Sequence, residues 1–161
     1  MSADIRCGDC LELMPFIPDA SIDLIATDLP YGTTACKWDV IIPFAPMWEQ
    51  LKRILKPRGA FVTTASQPFT SALVMSNLAW FKYEWIWKKS RPSGYVNAKN
   101  KPMKMHENVC VFSPGTTVHV GQSDVRMVYN PQGLIYAPIR SFRPGRRFRS
   151  NVSKGMRPSD V

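Results

Sequence analysis

The sequence predicts a single α/β domain around a mostly parallel sheet. Two observations carry that expectation. Short apolar runs closed by turn residues alternate with segments of helical period over residues 1–113. The chain has 161 residues, 45% hydrophobic and 20% charged, which is enough to bury one core.

The elements follow in order. Ile5 to Asp9 reads as a short strand and turn. Leu11, Leu13, Met14 and Phe16 suit a short helix before Pro18. Ser21 to Thr27 is expected to be the buried central strand. Met47, Trp48, Leu51, Ile54 and Leu55 line one face of a helix. Lys56-Pro57-Arg58-Gly59 then closes that helix. Gly59 to Thr64 is the next strand. Ser66 is a plausible N-cap, with Pro68 just inside, for a helix through Ser76. Tyr83 to Trp87 is an aromatic strand expected to face the core. Glu107 to Ser113 is the last clear strand. Residues 114–161 are rich in Gly, Pro, Ser and Arg and have no clear period. The expected division is a core over 1–113 and a basic, loop-rich region over 114–161.

Charge divides the chain. Residues 1–81 hold 6 basic and 8 acidic side chains, a sum of −2; residues 82–161 hold 15 and 4, a sum of +11. A near-neutral half beside a strongly basic half suggests a core joined to a polyanion-contacting region. Lys99, Lys101 and Lys104, and the run Arg140, Arg143, Arg146, Arg147 and Arg149, are the candidate phosphate contacts. A basic tail without sequence preference would carry the same signature.

No secretory signal follows Met1, and no apolar run approaches bilayer length. The expectation is a soluble, cytoplasmic protein with no membrane partner and reduced cysteines. Cys7 and Cys10 have the spacing of half a zinc site, but no second pair follows and His106 and His119 stand apart. No metal is expected, and the cysteines read as small buried residues.

Asp28-Leu29-Pro30-Tyr31 is the most informative stretch. It places a carboxylate, a proline-held backbone and an aromatic ring at the end of an apolar strand. That set suits a flat base with an exocyclic amine. Asp28 and the Leu29 carbonyl accept hydrogen bonds from the amine, and Tyr31 stacks on the ring. Trp38 and Asp39 are expected to pack the loop, and a lone His106 is expected to be structural.

The string from Asp28 through Gly32 and Lys37-Trp38-Asp39 resembles the Asp-Pro-Pro-Tyr motif and flanks of DNA amino-methyltransferases. The type it resembles is the phage and prophage adenine-specific modification methylase of restriction-modification systems. Leu29 stands where Pro is commoner; its carbonyl remains, but a fixed φ is lost. The resemblance implies a partial Rossmann-like methyltransferase sheet, S-adenosylmethionine as cofactor and double-stranded DNA as substrate. It assigns Asp28, Leu29, Pro30 and Tyr31 to the target base, and Asp9 and Asp28 to the cofactor side. An Asp-led motif favours adenine N6 over cytosine N4. The N4 chemistry and a non-catalytic DNA-binding remnant are the alternatives.

The resemblance also implies features that the sequence lacks. Members with this motif order carry a late strand ending in a glycine-rich turn, which forms the methyl-donor site. Here the glycines after residue 113 are scattered and never form Gly-x-Gly. The expectation is a truncated methyltransferase with several donor-site strands missing. Its motif strand should have an unpaired edge, available to a separate cofactor-binding half or to self-association.

Overall fold

The computed structural model describes residues 3–118, 123–132, 134–136 and 156–158. It falls into two compact units, Met1–Val128 and Tyr129–Val161. In the second unit, β5 (Leu134–Tyr136) pairs antiparallel with β6 (Met156–Pro158). Everything below concerns the first unit.

The first unit holds a four-stranded sheet of β1 (Ile22–Asp28), β2 (Leu55–Ala65), β3 (Phe81–Ser93) and β4 (Lys104–Phe112), in the order β1-β2-β4-β3. The fold is mixed α/β, as expected, but the sheet is less parallel than expected. β1 and β2 pair parallel, while β4 pairs antiparallel with both β2 and β3. Three strands run one way, and β4 returns between two of them as the second arm of a hairpin. A hairpin connection needs far fewer residues than a parallel crossover, so the direct β3–β4 link fixes that direction.

Packing explains the helices. The helix α2 (Phe44–Ile54) buries Met47, Trp48, Leu51 and Ile54, the apolar face read from its period. It runs straight into β2 at Leu55, so Lys56, Pro57 and Arg58 belong to the strand and not to a closing turn. The helix α3 (Phe69–Ser76) buries Phe69, Thr70 and Leu73; Pro68 and not Ser66 holds its N-cap position. Both helices bury side chains in one core, against one face of the sheet. Trp48 meets Phe61 edge-on with ring centroids 5.6 Å apart and lies 5.0 Å from Phe112. Its indole N–H donates to the Ser76 hydroxyl at 2.7 Å, so the buried polar atom of the largest core ring is satisfied. Each fully buried ring of this kind contributes about 1.5–3 kcal/mol relative to exposure.

The opposite face of the sheet is poorly covered. Leu24 is 58% exposed, Trp85 48% and Trp87 51%. The expectation that the β3 aromatics are core is therefore corrected for both tryptophans. Ile86 between them, on the other face, is 59% exposed, so this stretch of the edge strand is uncovered on both sides. β1 is also not a buried central strand. It is the edge of the sheet, paired only with β2 among the described residues. That matches the unpaired edge implied by the missing-strand expectation.

The start of the chain differs as well. Ile5 to Asp9 forms no strand; the first elements are α1 (Cys10–Leu13) and a 3₁₀ turn at Met14–Phe16. Arg53 ties this segment to α2. Its guanidinium donates to the carbonyls of Met14 and Ile17 at 2.8 and 2.7 Å and to Asp19 at 2.5 Å. At the other end, residues 114–128 continue in the first unit. Val128 N donates to Arg58 O, and Arg58 Nε donates to Arg126 O. Of the cysteines, Cys110 is buried while Cys7, Cys10 and Cys36 are exposed, so three of the four are not the buried residues expected. Among the described residues no group of three metal-ligating side chains converges, and no helix is long and apolar enough to cross a membrane.

Candidate active site

Two parallel strands end side by side, and the site forms beyond their carboxyl ends. β1 and β2 pair in a register that sets Asp28 opposite Thr64. Gly59 permits their approach, because a Cβ there would lie 2.9 Å from the carbonyl oxygen of Asp23. Clefts outside the carboxyl ends of parallel strands are where α/β sheets generally bind ligands.

Asp28 and Tyr31 meet at this point. The Tyr31 hydroxyl donates to Asp28 Oδ1 at 2.8 Å and lies 2.8 Å from Thr64 Oγ1. The Thr64 hydroxyl makes a short contact to the same carboxylate oxygen. Asp28 Oδ1 thus takes both hydroxyl contacts, and Oδ2 takes neither. The Tyr31 ring stacks on Phe69 with centroids 5.2 Å apart and planes 27° apart. Burial above all, with Asp28 beside it, pushes the Tyr31 phenol above its ordinary value of 10.0; the hydrogen bond with Thr64 works the other way. The phenol is therefore a neutral donor at physiological pH. Leu29 is buried in the core cluster, which anchors the loop just after the carboxylate. Pro30 is half-buried beside it.

Asp39 holds the rest of the loop. Its carboxylate accepts from the backbone N–H groups of Gly32, Thr33 and Thr34 at 2.8, 2.9 and 2.7 Å. Gly32 sits at φ +66 with Ile41 packed where a Cβ would go, so the turn requires glycine. Hydrogen bonding from the Thr34 side chain and these amides, against the cost of burial, brings Asp39 from 3.8 down to about 2. The packing role expected for Asp39 is what the geometry shows. Trp38 is different: it is 74% exposed and does not pack the loop.

The remaining candidates are dispersed. Asp9 is the N-cap of α1, its Oδ1 accepting from Leu11 N at 2.8 Å. Lys99 and Lys101 are exposed on the loop between β3 and β4. Lys104 is half-buried, with its ammonium on the Ser66 hydroxyl. His106 is exposed and lies across from Lys88. Arg140, Arg143, Arg146, Arg147 and Arg149 lie outside the described residues. Sequence reasoning missed Thr64 and Phe69. The only available signal for Thr64 was a hydroxyl residue at the end of the strand expected next to β1.

Comparisons with known proteins bear on this arrangement. The chain is 27% identical to the type II methyltransferase M.HinfI of Haemophilus influenzae, over 71% of this chain and 42% of that protein. Its fold is similar to that of the PvuII DNA methyltransferase (cytosine-N4-specific), with a TM-score of 0.50 and 20% identity, covering 66% of this chain and 47% of that one. The M1.HpyAVI–SAM complex is a weaker likeness, at a TM-score of 0.44 and 16% identity over 67% of this chain and 55% of that one. No protein-family model matches. The described core thus has a methyltransferase fold in part: a partial Rossmann-like sheet. The chain spans less than half the length of the curated relative it matches.

Proposed function

We propose that this chain carries the target-base side of an S-adenosylmethionine-dependent DNA amino-methyltransferase, with adenine N6 as the accepting atom. One observation supports the reading best: Asp28 and Tyr31 converge beyond the end of β1, in a hydrogen-bonded cluster with Thr64. The likeness to a type II methyltransferase points the same way.

The chemistry follows from the donors and acceptors present. An aromatic amine is a poor nucleophile because its lone pair is delocalised into the ring. With Asp28 Oδ1 held by two hydroxyls, Oδ2 accepts one amine proton and the Leu29 carbonyl accepts the other. That pair of bonds favours a pyramidal nitrogen with a localised lone pair. The work is positioning and electrostatics, with no covalent enzyme intermediate. Phe69 backs one face of the Tyr31 ring, and the base stacks against the other after leaving the duplex. Bound S-adenosylmethionine would supply the electrophilic methyl group.

The described residues fit the base end of this reaction and not the donor end. Asp9, expected near the cofactor, spends one carboxylate oxygen on a helix cap. Among the described residues no glycine-rich turn follows a strand. The donor is thus named by its chemistry, and no step is routed through contacts to it.

Transfer of a tritiated methyl group to unmethylated DNA tests the reading, with the donor raised to millimolar concentration because the described residues fit only the base end of the reaction. Label should appear in N6-methyladenine after hydrolysis of the DNA, and Asp28→Ala should lower the rate by about a hundredfold or more. Label in N4-methylcytosine would overturn the choice of base. Equal rates in both proteins would remove Asp28 from the mechanism, and no label at all would favour a non-catalytic DNA-binding role.

A further inference from the structure

The end of β3, the loop after it and the first residue of β4, residues 88–104, hold six cationic side chains and no acidic one. Two cations are committed at its root. Lys89 pairs with the Glu107 carboxylate, and Lys104 contacts the Ser66 hydroxyl. Lys88, Arg91, Lys99 and Lys101 are exposed. The root adjoins the candidate site: Ser66 lies just past the end of β2, and Glu107 is close enough to Tyr31 to raise its pKa. At the far end, Gly94 takes a left-handed turn at φ +87 and leads into a single 3₁₀ turn, Tyr95–Asn97. That turn leaves Tyr95 and Val96 each 77% exposed.

An isolated exposed apolar side chain is ordinary. An aromatic and an aliphatic side by side, at the tip of an all-cationic hairpin rooted at the site, form a specific combination. We infer that this hairpin grips a DNA duplex through its phosphates and that Tyr95, with Val96, enters the base stack where the target base has been extruded. The inference rests on the reading above that the base is taken from DNA. Extrusion costs the base its stacking, and the gap it leaves is a flat apolar slot. An aromatic ring refills such a slot, because every base has a π-face. Apolar wedges flanked by cations are a general way to hold a distorted duplex. The exposed lysines and Arg91 contribute attraction without sequence information.

The test uses the full chain without methyl donor. Two synthetic duplexes of one sequence are compared by fluorescence anisotropy, one intact and one with a single tetrahydrofuran abasic site. The natural chain should bind the gapped duplex about tenfold tighter. Tyr95→Ala should abolish that preference, and Tyr95→Trp should restore it. The double change Lys99→Ala, Lys101→Ala should weaken binding to both duplexes. Measured between about 50 and 200 mM salt, it should reduce the log–log salt slope by about two. Equal affinity of the natural chain for the two duplexes would overturn the insertion, as would a preference that survives in Tyr95→Ala. Failure to bind either duplex would overturn the phosphate grip as well. Because no donor is present, these outcomes stand apart from those of the methyl-transfer assay.

Discussion

Asp39 shows how one side chain fixes a loop on which the proposed chemistry depends. Its three amide hydrogen bonds gather Gly32, Thr33 and Thr34, directly after Tyr31. Its folded pKa of about 2 is below its ordinary 3.8, so the ionised form is the one bound to the amides. The resulting stability is present above the ordinary value and is lost as pH falls through about 2. Thermal melts of the natural chain should therefore fall between those two values, while Asp39→Asn should start lower and show a flatter profile there. An identical slope in both proteins would remove Asp39 as the cause. The residue scale is also where legibility was uneven. Asp28 and Tyr31 lie three residues apart, so one strand-to-turn junction brings them together and the motif could be read directly. Thr64 lies 36 residues beyond Asp28. Only the parallel register brings it to the carboxylate, and register is a property of two strands that neither segment states alone.

Elements were legible wherever a period met a single core. The face of α2 was readable because four buried side chains recur at helical spacing and all meet one sheet face. Trp48 is the centre of that contact, with Phe61 and Phe112 around it. Trp48→Ala should cost about 3–5 kcal/mol in urea unfolding, since a ring-sized cavity opens where neighbours relax only in part. Trp48→Phe should cost less. It keeps most of the apolar volume, and the Ser76 hydroxyl still donates to Leu73 O when its indole partner is gone. A cost below 1 kcal/mol for the alanine change would mean that the α2–sheet contact is not the core it is taken to be. The β3 aromatics could not be read this way. Alternation tells which residues share a face, but what covers the strand decides burial, and β3 from Glu84 to Lys88 is exposed on both faces. Strand direction failed for a related reason. Nothing in a strand's own composition says that its successor will fold back beside it.

Across the whole first unit, the described residues bring together the proposed base site but no comparable site for a methyl donor. β1 leaves one edge without a strand among the described residues, and the face around Leu24, Trp85 and Trp87 stands open. An open edge beside an apolar face attracts further chain, whether another segment or a second copy. A methyl-donor pocket needs backbone that can approach the ligand closely and an acid held at its ribose. In the described chain the candidate acid, Asp9, caps a four-residue helix, with no neighbouring strand to fix it beside Asp28. The 161-residue chain alone should therefore bind S-adenosylmethionine far more weakly than the micromolar range, as measured by calorimetric titration of the purified protein. The same preparation should still bind duplex DNA, because the cations of the β3–β4 hairpin do not depend on that edge. Micromolar donor binding would show that the described residues, or those beyond them, complete the pocket without a further strand on β1. The uncovered edge would then need a different explanation.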